Sequence, residues 1–251
     1  MKQDELVSYL DDYLRVQDID DSSQNGLQVE GPEEVTKIAF AVDGSQTAFK
    51  EAVSVGADLV IVHHGLFWEK PLRLVGPLFR RVQTLMAGEC GLYAVHLPLD
   101  FHPEVGNNAE LTRLLELREV RPFGKYHGSE IGLGGVLHPP LLVDELVERL
   151  TQATGEPPVR VSASGPDKAS RVGCISGGAA FLLDQVAQAG FDTFVTGETS
   201  HSFFHYAAEW GLNVIYGGHY ATETLGVKAL ARHLEERFDL ETIFLHIPTG
   251  M

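Results

Sequence analysis

The stretch Leu59-Val60-Ile61-Val62-His63-His64-Gly65 decides how the fold of this chain is interpreted. A short run of consecutive apolar residues is typical of a strand that is buried on both faces of a parallel sheet. Two histidines follow that run at the carboxyl end of the predicted strand, which is where ligands bind in open α/β sheets. The stretch therefore predicts an α/β protein with a histidine-containing site at one edge of a sheet.

Strand and helix patterns alternate on both sides of this stretch. Residues Leu6, Leu10 and Leu14 have helical spacing, and Asn107 with Glu110 forms a capping pair for a later helix. The other elements predicted in the first half are strands at 26–29, 37–42 and 92–96 and helices at 47–55 and 79–87. Such alternation predicts mostly parallel sheets sandwiched by helices.

The second half of the chain repeats the order of helices and strands of the first half. A shift of 134 residues superimposes three pairs, and a shift of 120 superimposes a Gly-Leu dipeptide. The matched pairs are Gly44 and Gly178, Gly56 and Gly190, Asp58 and Asp192, and Gly91-Leu92 and Gly211-Leu212. We therefore predict a duplication, with repeats at 1–125 and 126–251, each a three-layer α/β/α unit with a mostly parallel mixed sheet. The difference between the two shifts corresponds to one extra loop in the first half, and that loop contains Trp68.

The composition is that of a globular protein, with 44% hydrophobic and 22% charged residues among 251. No uncharged stretch approaches the roughly 20 residues of a membrane span, and the N-terminus lacks a secretory signal pattern. The formal charge of −16 repels phosphate backbones and argues against nucleic-acid binding. Cys90 and Cys174 form no CxxC pair, as expected of buried thiols. We expect a soluble, cytoplasmic protein that binds neither membranes nor nucleic acid.

Histidine and carboxylate side chains follow four of the predicted strands. Each group also has an ordinary structural interpretation: adjacent histidines can be hydrogen-bonded at a strand end, and an aspartate can cap a turn. The groups are His63 and His64, then His96 and Asp100, then Glu198, then His219 and Glu223. If two similar halves face each other, these strand ends converge, and histidine is the commonest metal ligand in proteins.

The pair His219 and Glu223 has the spacing of two residues on one helix face, so both side chains can reach one metal ion. Gly217-Gly218 before the pair allows a tight turn and a close approach of the backbone to a ligand. His201 and His205 have the same spacing and are rival ligands. The intervening Phe203-Phe204 favours a partly buried helix for them.

The other histidines and two further motifs do not change this interpretation. We interpret the remaining histidines as structural or surface residues, namely His102, His127, His138, His233 and His246. Gly132-Leu133-Gly134-Gly135 superficially resembles a phosphate loop but lacks the strand-then-helix setting and a Walker lysine. The absence of a G-x-S-x-G motif weakens a serine hydrolase interpretation.

Taken in order, these motifs resemble the NIF-three-like family, also called the GTP cyclohydrolase I type 2 homologs. The resemblance covers nearly the whole chain. It is carried by Ile61-Val62-His63-His64-Gly65-Leu66-Phe67-Trp68, His96-Leu97-Pro98-Leu99-Asp100, Gly106-Asn107-Asn108-Ala109, Thr196-Gly197-Glu198 and Gly218-His219-Tyr220-Ala221-Thr222-Glu223. It implies two intertwined α/β repeats, a ring-shaped homohexamer, and metal ligands at His63, His64, Asp100, His219 and Glu223.

The resemblance implies a dinuclear centre. Five ligands for two ions leave two or three each, so we expect a carboxylate, Asp100 or Glu223, to bridge the two ions. Mixed imidazole and carboxylate donors suit Zn, Fe, Mn or Co better than Ca or Mg. The leading hypothesis is a metal-dependent hydrolase with a metal-bound hydroxide as nucleophile. A small-molecule substrate, with a nucleotide as one class, follows by analogy. His96 and Glu198 are candidate proton carriers or supports for ligands, and the catalytic residues stay open. The alternative hypothesis is a non-enzymatic metal-binding, metal-delivery or regulatory interaction protein.

Overall fold

The computed structural model describes residues 1–126 and 128–251, which form two compact units. The first unit comprises Met1–Leu99 and Gly226–Ile247, and the second comprises Asp100–Leu225 and Pro248–Met251. The predicted repeat boundaries at 1–125 and 126–251 stay a prediction. Within the described residues, no helix combines the length and the apolar character that crossing a membrane requires.

The first unit contains a five-stranded sheet. Its elements are α1 (Gln3–Leu14), β1 (Gly26–Val29), β2 (Lys37–Asp43), α2 (Gln46–Ser54), β3 (Leu59–His64), α3 (Gly76–Ala87), β4 (Gly91–Ala94) and the C-terminal strand β11 (Glu241–Phe244). The strand order is β1-β4-β3-β2-β11. All neighbours pair in parallel except β1, which is antiparallel to β4.

The second unit contains a six-stranded sheet. Its elements are α5 (Asn107–Leu114), β5 (Arg118–Tyr126), β6 (Ser129–Leu142), α6 (Val143–Thr154), β7 (Arg160–Ala163), β8 (Lys168–Cys174), α7 (Leu183–Gln188), β9 (Thr193–Thr196), α8 (Phe204–Glu209) and β10 (Asn213–Tyr216). The order is β5-β6-β8-β9-β10-β7, in which β8, β9 and β10 are parallel and the other pairings antiparallel. The predicted α/β class with mixed sheets is confirmed.

Two further helices contain residues of both units. Helix α4 (Leu97–Asp100) is a single turn after β4, and helix α9 (His219–Phe238) follows β10. The predicted helix start at His219 is therefore confirmed. Because each helix continues a strand directly, polar residues in their first turns lie at the carboxyl end of a parallel strand.

Apolar spacing explains how the predicted elements pack. Leu6, Leu10 and Leu14 of α1 recur every four residues and are at most 1% exposed. Residues 59–62 of β3 are completely buried, as expected of a strand covered on both faces. Burying one such side chain stabilises the fold by about 1.5–3 kcal/mol.

The two cysteines, Cys90 and Cys174, are also buried, as predicted. Burial raises the pKa of the Cys90 thiol to about 12, with a smaller contribution from the charge of Asp58.

The hydrogen bonds of two aspartates support the duplication. Asp58 accepts the backbone N–H of Thr36 at 2.8 Å, and Asp192 accepts that of Ser170 at 3.1 Å. In both units the same carboxylate also accepts the N–H of the next residue. Each of these second-unit positions lies 134 residues after its counterpart in the first unit, so the predicted register is confirmed for this part of the repeat.

The second predicted register, the shift of 120, is wrong by two residues. Leu59 pairs with Gly91 in the first unit, and its counterpart Thr193 pairs with Asn213 in the second. Gly91 therefore corresponds to Asn213 rather than to Gly211, and the shift for these strands is 122. The Gly-Leu dipeptides matched in sequence but not in structure.

Strands β5 and β6 were not predicted from the sequence. Glycines interrupt the apolar pattern of β6, because aromatic rings take the space that side chains would need. A Cβ on Gly132 would lie 2.7 Å from the Phe123 ring, and one on Gly134 would overlap the Phe191 ring. The glycine-rich segment is thus a packed strand, which agrees with the prediction that it lacks the strand-then-helix setting of a phosphate loop.

We predict that Gly31→Ala and Gly165→Ala each destabilise their unit. A Cβ on Gly31 would lie 2.5 Å from the Gly91 nitrogen, and one on Gly165 would lie 2.8 Å from the Asn213 nitrogen. Since backbone atoms cannot move aside cheaply, each substitution should cost about 1–3 kcal/mol. Urea unfolding midpoints measure the loss. Gly250→Ala is the comparison variant: its Cβ would have nothing within 4 Å, but its φ is +72°, so it shows the cost of a left-handed backbone alone. Equal midpoints for all three variants would contradict the repeat-wide constraint.

Candidate metal centre

Strand β3 ends in two imidazoles whose orientations are fixed by hydrogen bonds. His63 is completely buried, and its Nδ1 donates to the carbonyl oxygen of Val95 at 3.0 Å. The His64 Nδ1 lies 2.9 Å from the Asp43 carboxylate at the end of β2. A carbonyl or carboxylate oxygen only accepts, so the hydrogen of each neutral ring is on Nδ1 and the lone pair is on Nε2.

A third imidazole near the end of β3, that of His96, faces the buried carboxylate of Asp21. Its Nδ1 lies 3.0 and 3.2 Å from the two carboxylate oxygens of Asp21. Asp21 also accepts hydrogen bonds from the Asn25 amide and from the backbone N–H groups of Ser23 and Leu97. Burial raises the pKa of Asp21, but the hydrogen bond and charge of His96 and the other donors outweigh it and lower the pKa to about 2. The side chain is therefore an anion at neutral pH.

The rings of His63, His64 and His96 lie against one another. Their centroids are separated by 4.7 Å for His63 and His64, 5.0 Å for His63 and His96, and 5.6 Å for His64 and His96. One nitrogen of each ring lies within 4.8 Å of one nitrogen of the others. The Trp68 ring meets His96 edge-on at 5.1 Å. Such a group of imidazoles fits a divalent ion that takes nitrogen ligands.

In the second unit, His219 and Glu223 occupy one face of α9, as their spacing predicts. The His219 Nε2 lies 3.0 Å from the Glu223 Oε1, and its Nδ1 lies 3.3 Å from Glu198. Burial lowers the pKa of His219, but the hydrogen bonds and charges of both carboxylates outweigh burial and raise it to about 9. Glu223 is only 3% exposed. The two facing atoms are close enough to reach one ion at about 2.1 Å from each.

Asp100 contributes a second buried carboxylate to this unit. One of its oxygens lies within 4.8 Å of a Glu223 oxygen. The Asp100 Oδ1 accepts hydrogen bonds from the Asn107 amide at 2.9 Å and the Ser176 hydroxyl at 2.8 Å. The prediction that Asn107 caps helix α5 was wrong, because the N-cap is Gly106 and Asn107 uses its amide to hold Asp100.

The loop after β8 makes room for the carboxylates of the second unit. Gly177 has a φ of +63°, and a Cβ at this position would overlap the Glu223 Oε1. A Cβ on Gly178 would lie 2.8 Å from a Glu198 oxygen. Sequence reasoning used Gly178 only to align the repeats and missed Gly177. The Ser-Gly-Gly turn after a strand was the available signal.

The rival histidines differ from their predicted setting. His201 lies in a 3₁₀ turn (His201–Phe203) and His205 in α8, and both are exposed, so they do not share the face of one buried helix. Among the described residues, no group able to hold a metal includes either of them. His102 is buried, and its Nδ1 accepts backbone N–H groups, as a structural histidine should. His127 lies outside the described residues.

The chain matches the family model DUF34/NIF3 (NGG1p interacting factor 3) over residues 1–250, and it belongs to this family. Proteins named GTP cyclohydrolase 1 type 2 homolog are similar along their whole length. The protein from Deinococcus radiodurans is 44% identical over 99% of this chain and 94% of its own. The Escherichia coli protein is 40% identical over 99% of both chains.

Solved structures of related chains have the same fold. The crystal structure of TTHA1606 from Thermus thermophilus covers 100% of both chains, with 49% identity and a TM-score of 0.92. Reduced HcgD from Methanocaldococcus jannaschii covers 98% of both chains, with 27% identity and a TM-score of 0.86. The resemblance to the NIF-three-like family and the predicted fold class are thereby confirmed.

We predict that Gly177→Ala weakens metal binding while leaving the fold intact, because the new Cβ displaces the Glu223 carboxylate. Displacing a group that orients or forms a metal site typically costs 10–100-fold in affinity. Isothermal titration with Zn²⁺ measures the loss. Gly190→Ala is the matched control, since Gly190 is also left-handed, with a φ of +80°, but has nothing within 4 Å. Equal losses in both variants would attribute the effect to backbone strain instead.

Proposed function

We propose that this protein is a dinuclear metal-dependent hydrolase whose ligands are His63, His64, Asp100, His219 and Glu223. The observation that carries the proposal is that groups outside the ligand set orient four of the five ligand side chains, namely His63, His64, Asp100 and His219. Pre-oriented imidazoles and carboxylates lose little conformational freedom on binding and are characteristic of metal sites. The chain also belongs to the family whose resemblance implies these five ligands.

The donor chemistry of each unit supports this ligand set. The first unit supplies His63 and His64, with Nδ1 held by an oxygen acceptor and Nε2 bearing the lone pair. The second unit supplies Asp100, His219 and Glu223, two of them buried carboxylates. Buried anions are costly unless a cation or hydrogen-bond donors compensate them. Nitrogen and carboxylate donors without thiolate favour Zn, Fe, Mn or Co over Ca or Mg.

The chemistry proposed for the site is hydrolysis at neutral pH. A pair of bound divalent ions can lower the pKa of water to roughly 7 and clamp the oxygens of a substrate. Within the chain, Asn107 and Ser176 orient Asp100. The partly exposed Glu198 lies 3.3 Å from the His219 Nδ1, where it can hold a proton on that nitrogen. The substrate class that we propose is a nucleotide, which follows the name given to the relatives, GTP cyclohydrolase 1 type 2 homolog.

We predict that the purified protein retains about two divalent ions per chain and hydrolyses a member of a panel of nucleotides and esters. His64→Ala and Asp100→Ala should each lose bound metal and turnover, because each removes a ligand. Elemental analysis after gel filtration measures the metal, and the panel is assayed with the ion so identified. His246→Ala, which replaces an exposed histidine of the first unit, should behave as the parent protein.

Two results would contradict this proposal. Turnover that persists in metal-free His64→Ala or Asp100→Ala protein would exclude the metal-dependent mechanism. Readily exchanging metal with no turnover on the whole panel would favour the metal-delivery alternative instead.

We further propose that the chain assembles as a homo-oligomer, specifically the ring-shaped hexamer that the family resemblance implies. Gel filtration coupled to light scattering of the untagged protein should give a mass close to six times 27.5 kDa. A monomeric mass at micromolar concentration would contradict the hexamer without touching the metal chemistry. The predicted absence of nucleic-acid and membrane partners and the cytoplasmic location stay predictions.

A further inference from the structure

The segment between β3 and α3, residues 65–75, makes the first unit longer than the second. The register is 134 residues for β3 and β9 but 122 for β4 and β10, so the first unit has twelve more residues between its two strands. Most of them lie in this segment, which follows the carboxyl end of β3. Ligands bind at that edge of open α/β sheets, and loops on a rigid scaffold are where binding residues concentrate.

The first residues of the segment are anchored to the chain around β1. The Leu66 N–H donates to the Gln28 side chain at 2.7 Å, and the Gln24 N–H donates to the Phe67 carbonyl oxygen at 3.0 Å. The Gln24 amide also donates to the Trp68 carbonyl oxygen at 3.1 Å. These bonds fix the position of Trp68, whereas residues 69–75 beyond it are all exposed.

The indole of Trp68 lies beside His64, a proposed ligand. Its ring centroid is 6.4 Å from that of His64 and 5.1 Å from that of His96, and the side chain is partly exposed. Ser23, whose backbone pairs with that of Trp68, has a buried hydroxyl oxygen without a hydrogen-bond partner in the described part of the chain. A fixed aromatic ring next to an unsatisfied polar group suits a planar ligand that can both stack and form hydrogen bonds.

The residues that follow Trp68 are basic, although the chain has a formal charge of −16. No Asp or Glu occurs from residue 70 to residue 88, a stretch that contains Lys70, Arg73, Arg80 and Arg81. Within residues 1–126 and 128–251, none of these four side chains has a carboxylate or a hydrogen-bond partner. Unpaired cations attract anions, and arginine can bind a phosphate group through two parallel hydrogen bonds.

We propose that residues 68–73 form a nucleotide-recognition site, in which the base stacks on Trp68 and the phosphates bind Lys70 and Arg73. These two cations follow Trp68 by two and five residues, so their Cα atoms lie within about 7 and 18 Å of it and their long side chains can reach the phosphates of a stacked nucleotide. This inference rests on the proposed function and deepens it, because it orients the substrate. The base, rather than the phosphate chain, lies beside His64.

The experiment follows the fluorescence of Trp68 in Zn²⁺-loaded Trp210→Phe protein. The chain has two tryptophans, and Trp210 is 47% exposed and bonded to Asp184 in the second unit, so its replacement leaves Trp68 as the reporter. GTP and guanosine are the probes, with excitation at the red edge of the indole band, where guanine absorbs little. Both should quench Trp68 saturably, because each places a base on the indole, and GTP should bind more tightly.

Variants of the segment separate stacking from phosphate binding. Trp68→Ala should weaken GTP binding roughly 5–150-fold, and Trp68→Phe should restore most of it, because a phenyl ring still stacks. Equilibrium dialysis with labelled GTP measures these two variants, which lack the reporter. Lys70→Ala/Arg73→Ala should weaken GTP binding about 10–100-fold and leave guanosine binding unchanged, since guanosine has no phosphate.

Lys50→Ala/Arg118→Ala is the matched control, because it removes two exposed cations outside the segment and changes the net charge equally. This variant should bind GTP as the parent does. Losses equal to those of Lys70→Ala/Arg73→Ala would attribute the effect to net charge and overturn the inference. Parallel losses of GTP and guanosine in Lys70→Ala/Arg73→Ala would also overturn it, as would the lack of saturable quenching by GTP in the parent.

Retained metal and turnover test the proposed function separately from this inference. If the protein keeps Zn²⁺ and turns over a substrate while Trp68 does not respond to GTP, the proposed function stands and the recognition site fails. If GTP quenches Trp68 in a protein that retains no Zn²⁺, the proposed function fails and the assignment of Trp68, Lys70 and Arg73 as nucleotide-binding residues stands.

Discussion

The hydrogen bond from the His63 Nδ1 to the Val95 carbonyl is the interaction on which the site of the first unit depends. A completely buried imidazole is costly unless it is hydrogen-bonded, and this ring finds its acceptor on the neighbouring strand. The acceptor is in reach only because β3 and β4 are parallel and in register, and the Val95 N–H in turn donates to the Val62 carbonyl at 2.9 Å. Sheet geometry thus sets the tautomer of a proposed ligand.

The sequence predicted the elements that carry the site better than the contacts that hold it. Strand ends followed by histidine are a local pattern, so His63, His64 and His219 could be placed on their elements. Asn107 and Asp21 could not, because their partners are determined by tertiary packing rather than by neighbours in sequence. Asn107 lies at a helix start, and the pattern therefore predicts a capping role for it. In the structure its amide instead donates to the buried Asp100 carboxylate, which lies outside the helix-start pattern that the sequence shows.

The two repeats have the same backbone arrangement but place different metal-ligating groups on it, imidazoles in the first unit and carboxylates in the second. The register of 134 residues places His64 opposite Glu198 and Asp43 opposite Gly177. In the first unit, a carboxylate at position 43 holds an imidazole. In the second, a side chain at position 177 would collide with the Glu223 carboxylate, which comes from a helix rather than from the strand. The glycine at position 177 therefore leaves room for a carboxylate in the second unit, where the first unit has an imidazole.

Carboxylates behind the imidazoles also affect the strength of the donors. Asp43, Asp21 and Glu198 each face the Nδ1 of a ring, while His63 has a neutral carbonyl in that position. A carboxylate that accepts from Nδ1–H increases the electron density at Nε2 and makes the ring a stronger ligand. The completely buried His63 is the ring for which another buried anion would be most costly, because desolvation grows with burial. The neutral acceptor therefore belongs with the most deeply buried imidazole, and the carboxylates belong with the rings that water partly reaches.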